Sequence, residues 1–118
     1  MIRQGEIYWL DLGEPGSSGP VVAHPHLVVQ SDVFNLSRLR TTLVCALTSN
    51  LASARFRGNV RLEQGEAGLP KASVVNVTQL FTVDKVDLVE RIGQISEERL
   101  RTVISGIELL LEPREVET

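Results

Sequence analysis

His24 and His26 flank Pro25 and are the two imidazoles of the chain. In an extended segment alternate side chains share a face, so both rings point the same way. Three readings are open for such a pair: ligands of a metal, groups for acid–base chemistry, or polar side chains at a strand entrance. Imidazole suits proton transfer because its unperturbed pKa is about 6.5. A zinc site needs a third or fourth ligand, and neither paired cysteines nor an HExxH spacing is present, so no metal and no other cofactor is expected.

Two further places carry polar groups out of pattern. Thr48-Ser49-Asn50 closes the apolar run Leu43 to Leu47 with three hydrogen-bonding side chains, which either open a turn or belong to a site. From Ser73 to Val83, every second residue gives Ser73, Val75, Val77, Gln79, Phe81 and Val83, an apolar row broken by one amide. Burying an amide without partners costs about 1–3 kcal/mol, so Gln79 has partners, lies at a bulge, or reaches a site. The other face carries a polar row of Asn76, Thr78 and Thr82. Common alternatives drop out. Gly13, Gly16 and Gly19 lack a dinucleotide fingerprint, no phosphate loop is present, and no nucleophile elbow surrounds Ser17 or Ser18. The single cysteine, Cys45, sits in an apolar run and reads as a small buried residue.

These groups must be positioned by strands. Glu6 to Leu12 is aromatic, apolar and bounded by Gly5 and Gly13, and reads as a first strand, followed by a Gly/Pro-rich loop over 13–20. His26 to Gln30, Thr41 to Thr48, Gly58 to Glu63, Ser73 to Val83 and Val89 to Ile95 are further strands. Asp32 to Asn35 is a turn or a single helical turn. Near residue 97 the period changes: Leu100, Val103, Ile104, Ile107 and Leu110 or Leu111 share one helical face, Ser96 is an N-cap, and Glu97 and Glu98 fall in the first turn. A helix over about 97–111 is expected, with a frayed acidic tail over 112–118. Six short strands and one amphipathic helix predict a mainly β domain with α, a strongly bent sheet or small barrel with the helix covering one opening.

The 118 residues fit one domain, 1–118, with the barrel over about 5–95. The apolar share of 42% and a mean hydropathy near zero supply an ordinary core. No apolar run approaches the roughly 20 residues of a membrane span, and no apolar segment follows the charged N-terminus, so a cytoplasmic location is expected. The net charge of −3 hides a segregation: residues 33–62 hold Arg38, Arg40, Arg55, Arg57 and Arg61 with no acid, whereas acids outnumber bases over 63–118. A local positive field steers a polyanion even on an acidic chain, although a solvated arginine cluster on loops has the same composition.

Five segments in order resemble the MazF/PemK family of toxin endoribonucleases: Gly5-Glu6-Ile7-Tyr8, Pro25-His26-Leu27-Val28-Val29-Gln30, Ala46-Leu47-Thr48-Ser49-Asn50, Val77-Thr78-Gln79-Leu80 running on to Lys85, and Arg91-Ile92-Gly93. The resemblance spans nearly the whole chain. It implies an SH3-like β-barrel with a C-terminal amphipathic helix, of the MazF/CcdB type, assembled as a homodimer. It also implies cleavage of single-stranded RNA, usually mRNA at short sequences, without a required metal, and inhibition by a MazE-like antitoxin. The reaction is attack of a ribose 2′-hydroxyl on the adjacent phosphate, leaving a 2′,3′-cyclic phosphate and a 5′-hydroxyl.

The resemblance points to Thr48 and the position of His24 at the reacting phosphate and to Gln79 at the RNA; Thr78 and Ser49 beside them are further candidates for holding RNA. The family places an arginine where this chain has His24, and an acid and an arginine where it has Thr78 and Phe81. The family glutamate of the preceding loop has no counterpart over Ser17 to Ala23. Arg38, Arg40, Arg55 and Arg57 are therefore the candidates for the missing cation, with Tyr8 and Trp9 as aromatics for base stacking. Two rival readings keep the fold: a CcdB-like toxin that binds DNA gyrase without catalysis, and an inactive relative that binds only an antitoxin.

Overall fold

The structure, a computed structural model, describes residues 1–11 and 22–116. Among these residues six strands form one antiparallel sheet: β1 (Glu6–Leu10), β2 (His24–Val28), β3 (Thr41–Thr48), β4 (Val60–Leu62), β5 (Ser73–Asp84) and β6 (Glu90–Gln94), in the spatial order β4-β5-β3-β2-β1-β6. A single helical turn, α1 (Asp32–Asn35), links β2 to β3, and the long helix α2 (Glu97–Leu111) follows β6. Every expected strand is present, β3 with its expected bounds and the others with shifted ends. The first ends at Leu10, before exposed and irregular Asp11, and Leu12 lies outside the described residues; the second starts at His24, two residues early. The loop expected over 13–20 lies outside the described residues.

The sheet curls around its helix. Ile7, Leu27, Cys45, Leu47, Val75 and Val77, on four of its strands, pack into a core closed by Val103 and Ile107 of α2. On the opposite face Tyr8, Leu10, Val28, Val44, Val83 and Leu88 form a second cluster. Strands covered on both faces read as apolar runs and not as clean alternation, which is the pattern of Leu43 to Leu47. Burial pushes the Cys45 thiol up to about 12, so it is a packing residue and carries no nucleophile.

Helix α2 begins as its sequence dictates, with the Ser96 hydroxyl accepting from Arg99 N at 3.1 Å. Its buried stripe ends at Ile107. Leu110 and Leu111, one of which is expected to continue that stripe, are both exposed. Edge strands β4 and β6 approach through a short 3-10 turn, Glu66–Gly68: a Cβ at Gly93 would lie 2.1 Å from the Ala67 carbonyl oxygen, so only glycine admits this backbone contact. Arg99 grips the same turn, donating from two nitrogens to the Glu66 carboxylate at 2.9 and 3.2 Å.

Candidate functional site

Strands β2 and β3 pair with His26 opposite Ala46 and Val28 opposite Val44. Continuing that register by one side-chain repeat sets His24 opposite Thr48, on the face that also carries His26. His24 is exposed and Thr48 half-buried. The Thr48 Oγ1 accepts from Asn50 N at 3.2 Å, and the Asn50 side chain accepts from Ala52 N at 3.2 Å, so the turn expected after Thr48 is real. Because the hydroxyl oxygen is engaged as an acceptor, its O–H remains to donate to an incoming anion.

His26 is nearly fully buried and its Nδ1 lies 2.8 Å from the His24 carbonyl oxygen. A carbonyl only accepts, so Nδ1 carries the hydrogen. Burial lowers the His26 pKa, partly offset by that bond to His24, and the ring is neutral at pH 7. Its edge meets Phe81, with ring centroids 6.2 Å apart at 64°. The two histidines therefore differ in role: His26 is a packed support holding the backbone of exposed His24. Among the described residues no group of three or more His, Cys, Asp or Glu is placed to hold a metal.

The break at Gln79 has a structural cause. While β3 advances from Cys45 to Leu47, β5 runs from Leu80 back to Val75, so Asn76, Val77, Thr78 and Gln79 all face Ala46. This wide bulge lets Val77 stay in the helix-side core while Thr78 and Gln79 are exposed, and Thr78 Oγ1 donates to Asn76 Oδ1 at 3.0 Å. The expected alternation of Val75, Val77, Phe81 and Val83 on one face does not hold, because the bulge shifts parity and sends Phe81 and Val83 to the other face. The bulge lies beside the row of Ala46 and His26, next to Thr48.

The arginines divide. Arg55 and Arg57 lie in and just after the 3-10 turn Leu51–Arg55 that follows Thr48, and Ser49 is exposed at its start. Arg38 and Arg40 precede Thr41, at the far end of β3, about 23 Å along the strand from Thr48 at about 3.3 Å per residue. The single basic face expected over 33–62 is thus split between two ends of the sheet. Tyr8, expected for stacking, is buried, and its hydroxyl donates to Glu6 Oε1 at 3.2 Å; burial and that carboxylate raise its pKa. Trp9 is half-buried. The exposed aromatic at the Thr48 end is Phe56, with the Arg55 guanidinium carbon 5.5 Å from its ring centroid. Its flanking arginines were the signal available in sequence. Glu6 and Arg91 pair at 2.5 Å across β1 and β6, so two of the five ordered segments are joined by structure.

A family model described as PemK-like, MazF-like toxin of type II toxin-antitoxin system matches residues 3–111. The chain is 43% identical over 112 residues to endoribonuclease MazF2 of Mycobacterium bovis, and equally to endoribonuclease MazF6 of Mycobacterium tuberculosis, covering 95% of this chain and 98% of each relative. Among solved structures, an endoribonuclease in complex with its cognate antitoxin from a mycobacterial species superposes with a TM-score of 0.76 at 20% identity, covering 94% of this chain and 95% of that one.

Proposed function

The chain belongs to the PemK-like, MazF-like toxin family of type II toxin-antitoxin systems, and from that premise we propose that it is a cytoplasmic endoribonuclease cutting single-stranded RNA at short sequences. Its relatives' names support the activity. The observation that carries the residue assignment is the β2–β3 register, whose continuation by two residues brings exposed His24 across from Thr48, beside the β5 bulge.

In this reading the His24 imidazole accepts the proton of a ribose 2′-hydroxyl as its oxygen attacks the adjacent phosphorus. The bond to the 5′-oxygen breaks, the imidazolium or water returns a proton to it, and a 2′,3′-cyclic phosphate and a 5′-hydroxyl result. Thr48 donates to a non-bridging phosphate oxygen, and Arg55 or Arg57 neutralises charge that builds on the phosphorane. Gln79, Thr78 and Ser49 hold the strand. Arg38 and Arg40 have no part in this protomer's site because they lie at the other end of β3. No step requires a metal. The active form is a homodimer held in check by a MazE-like antitoxin, a partner class supported by the antitoxin complex among the similar structures.

The test is incubation of purified protein with a long single-stranded RNA in EDTA, with fragment ends mapped beside Thr48→Ala. Discrete cuts with 5′-hydroxyl ends that vanish in the variant support the assignment; equal cutting by the variant removes it. One observation, His24 in the place of the family arginine, favours the non-catalytic gyrase-binding reading. That reading requires intact RNA and inhibited supercoiling in the same preparations.

A further inference from the structure

Resting on the ribonuclease reading, we propose that Phe56, flanked by Arg55 and Arg57, is a base-stacking platform that seats a nucleotide next to the cleaved bond and sets part of the sequence preference. Phe56 is 60% exposed, yet its backbone is fixed on both sides: its N–H donates to Ser53 O and its carbonyl accepts from Asn59 N, each at 3.1 Å. With its backbone already ordered by the turn, an exposed aromatic ring gives up mainly side-chain freedom when a base stacks on it.

Asn59 ties this turn to the site. Its Nδ2 donates to Ser53 O at 3.0 Å, and its Oδ1 accepts from Val77 N at 3.0 Å, inside the β5 bulge. The unpaired bulge thus contributes a backbone hydrogen that locks the platform beside Asn76 to Gln79. From below, the turn rests on α2: a Cβ at Gly106 would lie 2.3 Å from the Gly58 carbonyl oxygen, so the two backbones touch. The backbone that carries Phe56 is thereby tied to the bulge and to α2.

The chemistry of the turn selects its ligand. One side of the ring is engaged by the Arg55 guanidinium, a cation–π contact that leaves a π-surface for a base. Arg55 and Arg57 have no carboxylate partner among the described ion pairs, whereas Arg61, Arg91, Arg99 and Arg101 each have one. An exposed aromatic between two unneutralised cations matches a base and its flanking phosphates on an unpaired strand.

The test measures anisotropy of a labelled, unstructured RNA oligonucleotide with Phe56→Leu, Phe56→Tyr, Arg55→Ala and Arg57→Ala, each in a Thr48→Ala background, alongside cleavage maps of the same changes alone. Phe56→Leu is expected to weaken binding on the order of tenfold with an unchanged salt slope, while Phe56→Tyr retains affinity. Each arginine change should lower the salt slope by about 0.7. The cleavage map of Phe56→Leu should lose discrimination at one flanking position. If the parent cuts RNA and Phe56→Leu binds and cuts as it does, the platform is wrong and the ribonuclease reading stands. If the parent neither binds nor cuts RNA, both fall. A fall in dimer mass with unchanged RNA affinity makes Phe56 a contact between copies and also overturns the proposal.

Discussion

Thr48 and His24 are separated by 24 positions in sequence and united by strand register, and each answers to a simple change. Thr48→Ala removes the hydroxyl that the β2–β3 register brings across from His24 and is expected to cut turnover about 10²-fold or more; steady-state cleavage of a defined RNA with the melting curve as control checks it. His24→Asn should lower kcat about 10²- to 10⁴-fold; cleavage at the parent's rate by the variant assigns proton transfer elsewhere. His26 acts on stability instead. Its native pKa lies below the unfolded value of about 6.5, so the unfolded chain binds the extra proton first. Stability contributed by neutral His26 is complete above about pH 6.5 and declines as pH falls through the interval down to its lowered native pKa. Denaturant midpoints measured from pH 7.5 to 5 should show this slope, and His26→Leu should flatten it.

At the scale of elements the site is a product of interrupted regularity. A regular β5 would leave Gln79 buried beside Val77; the bulge exposes it and frees the Val77 N–H for Asn59. Gln79→Ala touches no packed group and should change stability by less than about 0.5 kcal/mol while weakening RNA binding, a separation read from paired melting and anisotropy data. Helix α2 supports the same region through Gly106. Because any Cβ there meets the Gly58 carbonyl at 2.3 Å, Gly106→Ala should destabilise by about 1–3 kcal/mol despite alanine's better helix propensity. A chemical-denaturation midpoint equal to that of the parent would mean that the turn yields freely. The helix itself was legible from Ser96, the paired glutamates and the 3.6-residue period; where its buried stripe ends was not, because that depends on how far the sheet extends beneath it.

For the whole molecule, an acidic chain that handles a polyanion must concentrate its cations locally. With Arg55 and Arg57 as the cations of each site, RNA affinity should fall with salt at a log–log slope of about −1.4 per protomer, well short of a broad basic surface. Titrations at several salt concentrations measure it. Sedimentation should give about twice the 13.0 kDa chain mass if the active form is the proposed homodimer. The sequence by itself determined six strands, a capped terminal helix and the candidate residues Thr48, His24 and Gln79, since apolar period, turn residues and caps are local physics. The ordered motifs also pointed to the family. Only the tertiary structure decided that Arg38 and Arg40 stand apart from Thr48, that Tyr8 is packed away, and that Phe56 is held beside the bulge. Those outcomes depend on which strands pair, in what register, and where one strand carries extra residues. Such contacts join positions distant in sequence, and side-chain periodicity in a single strand carries no record of its partner.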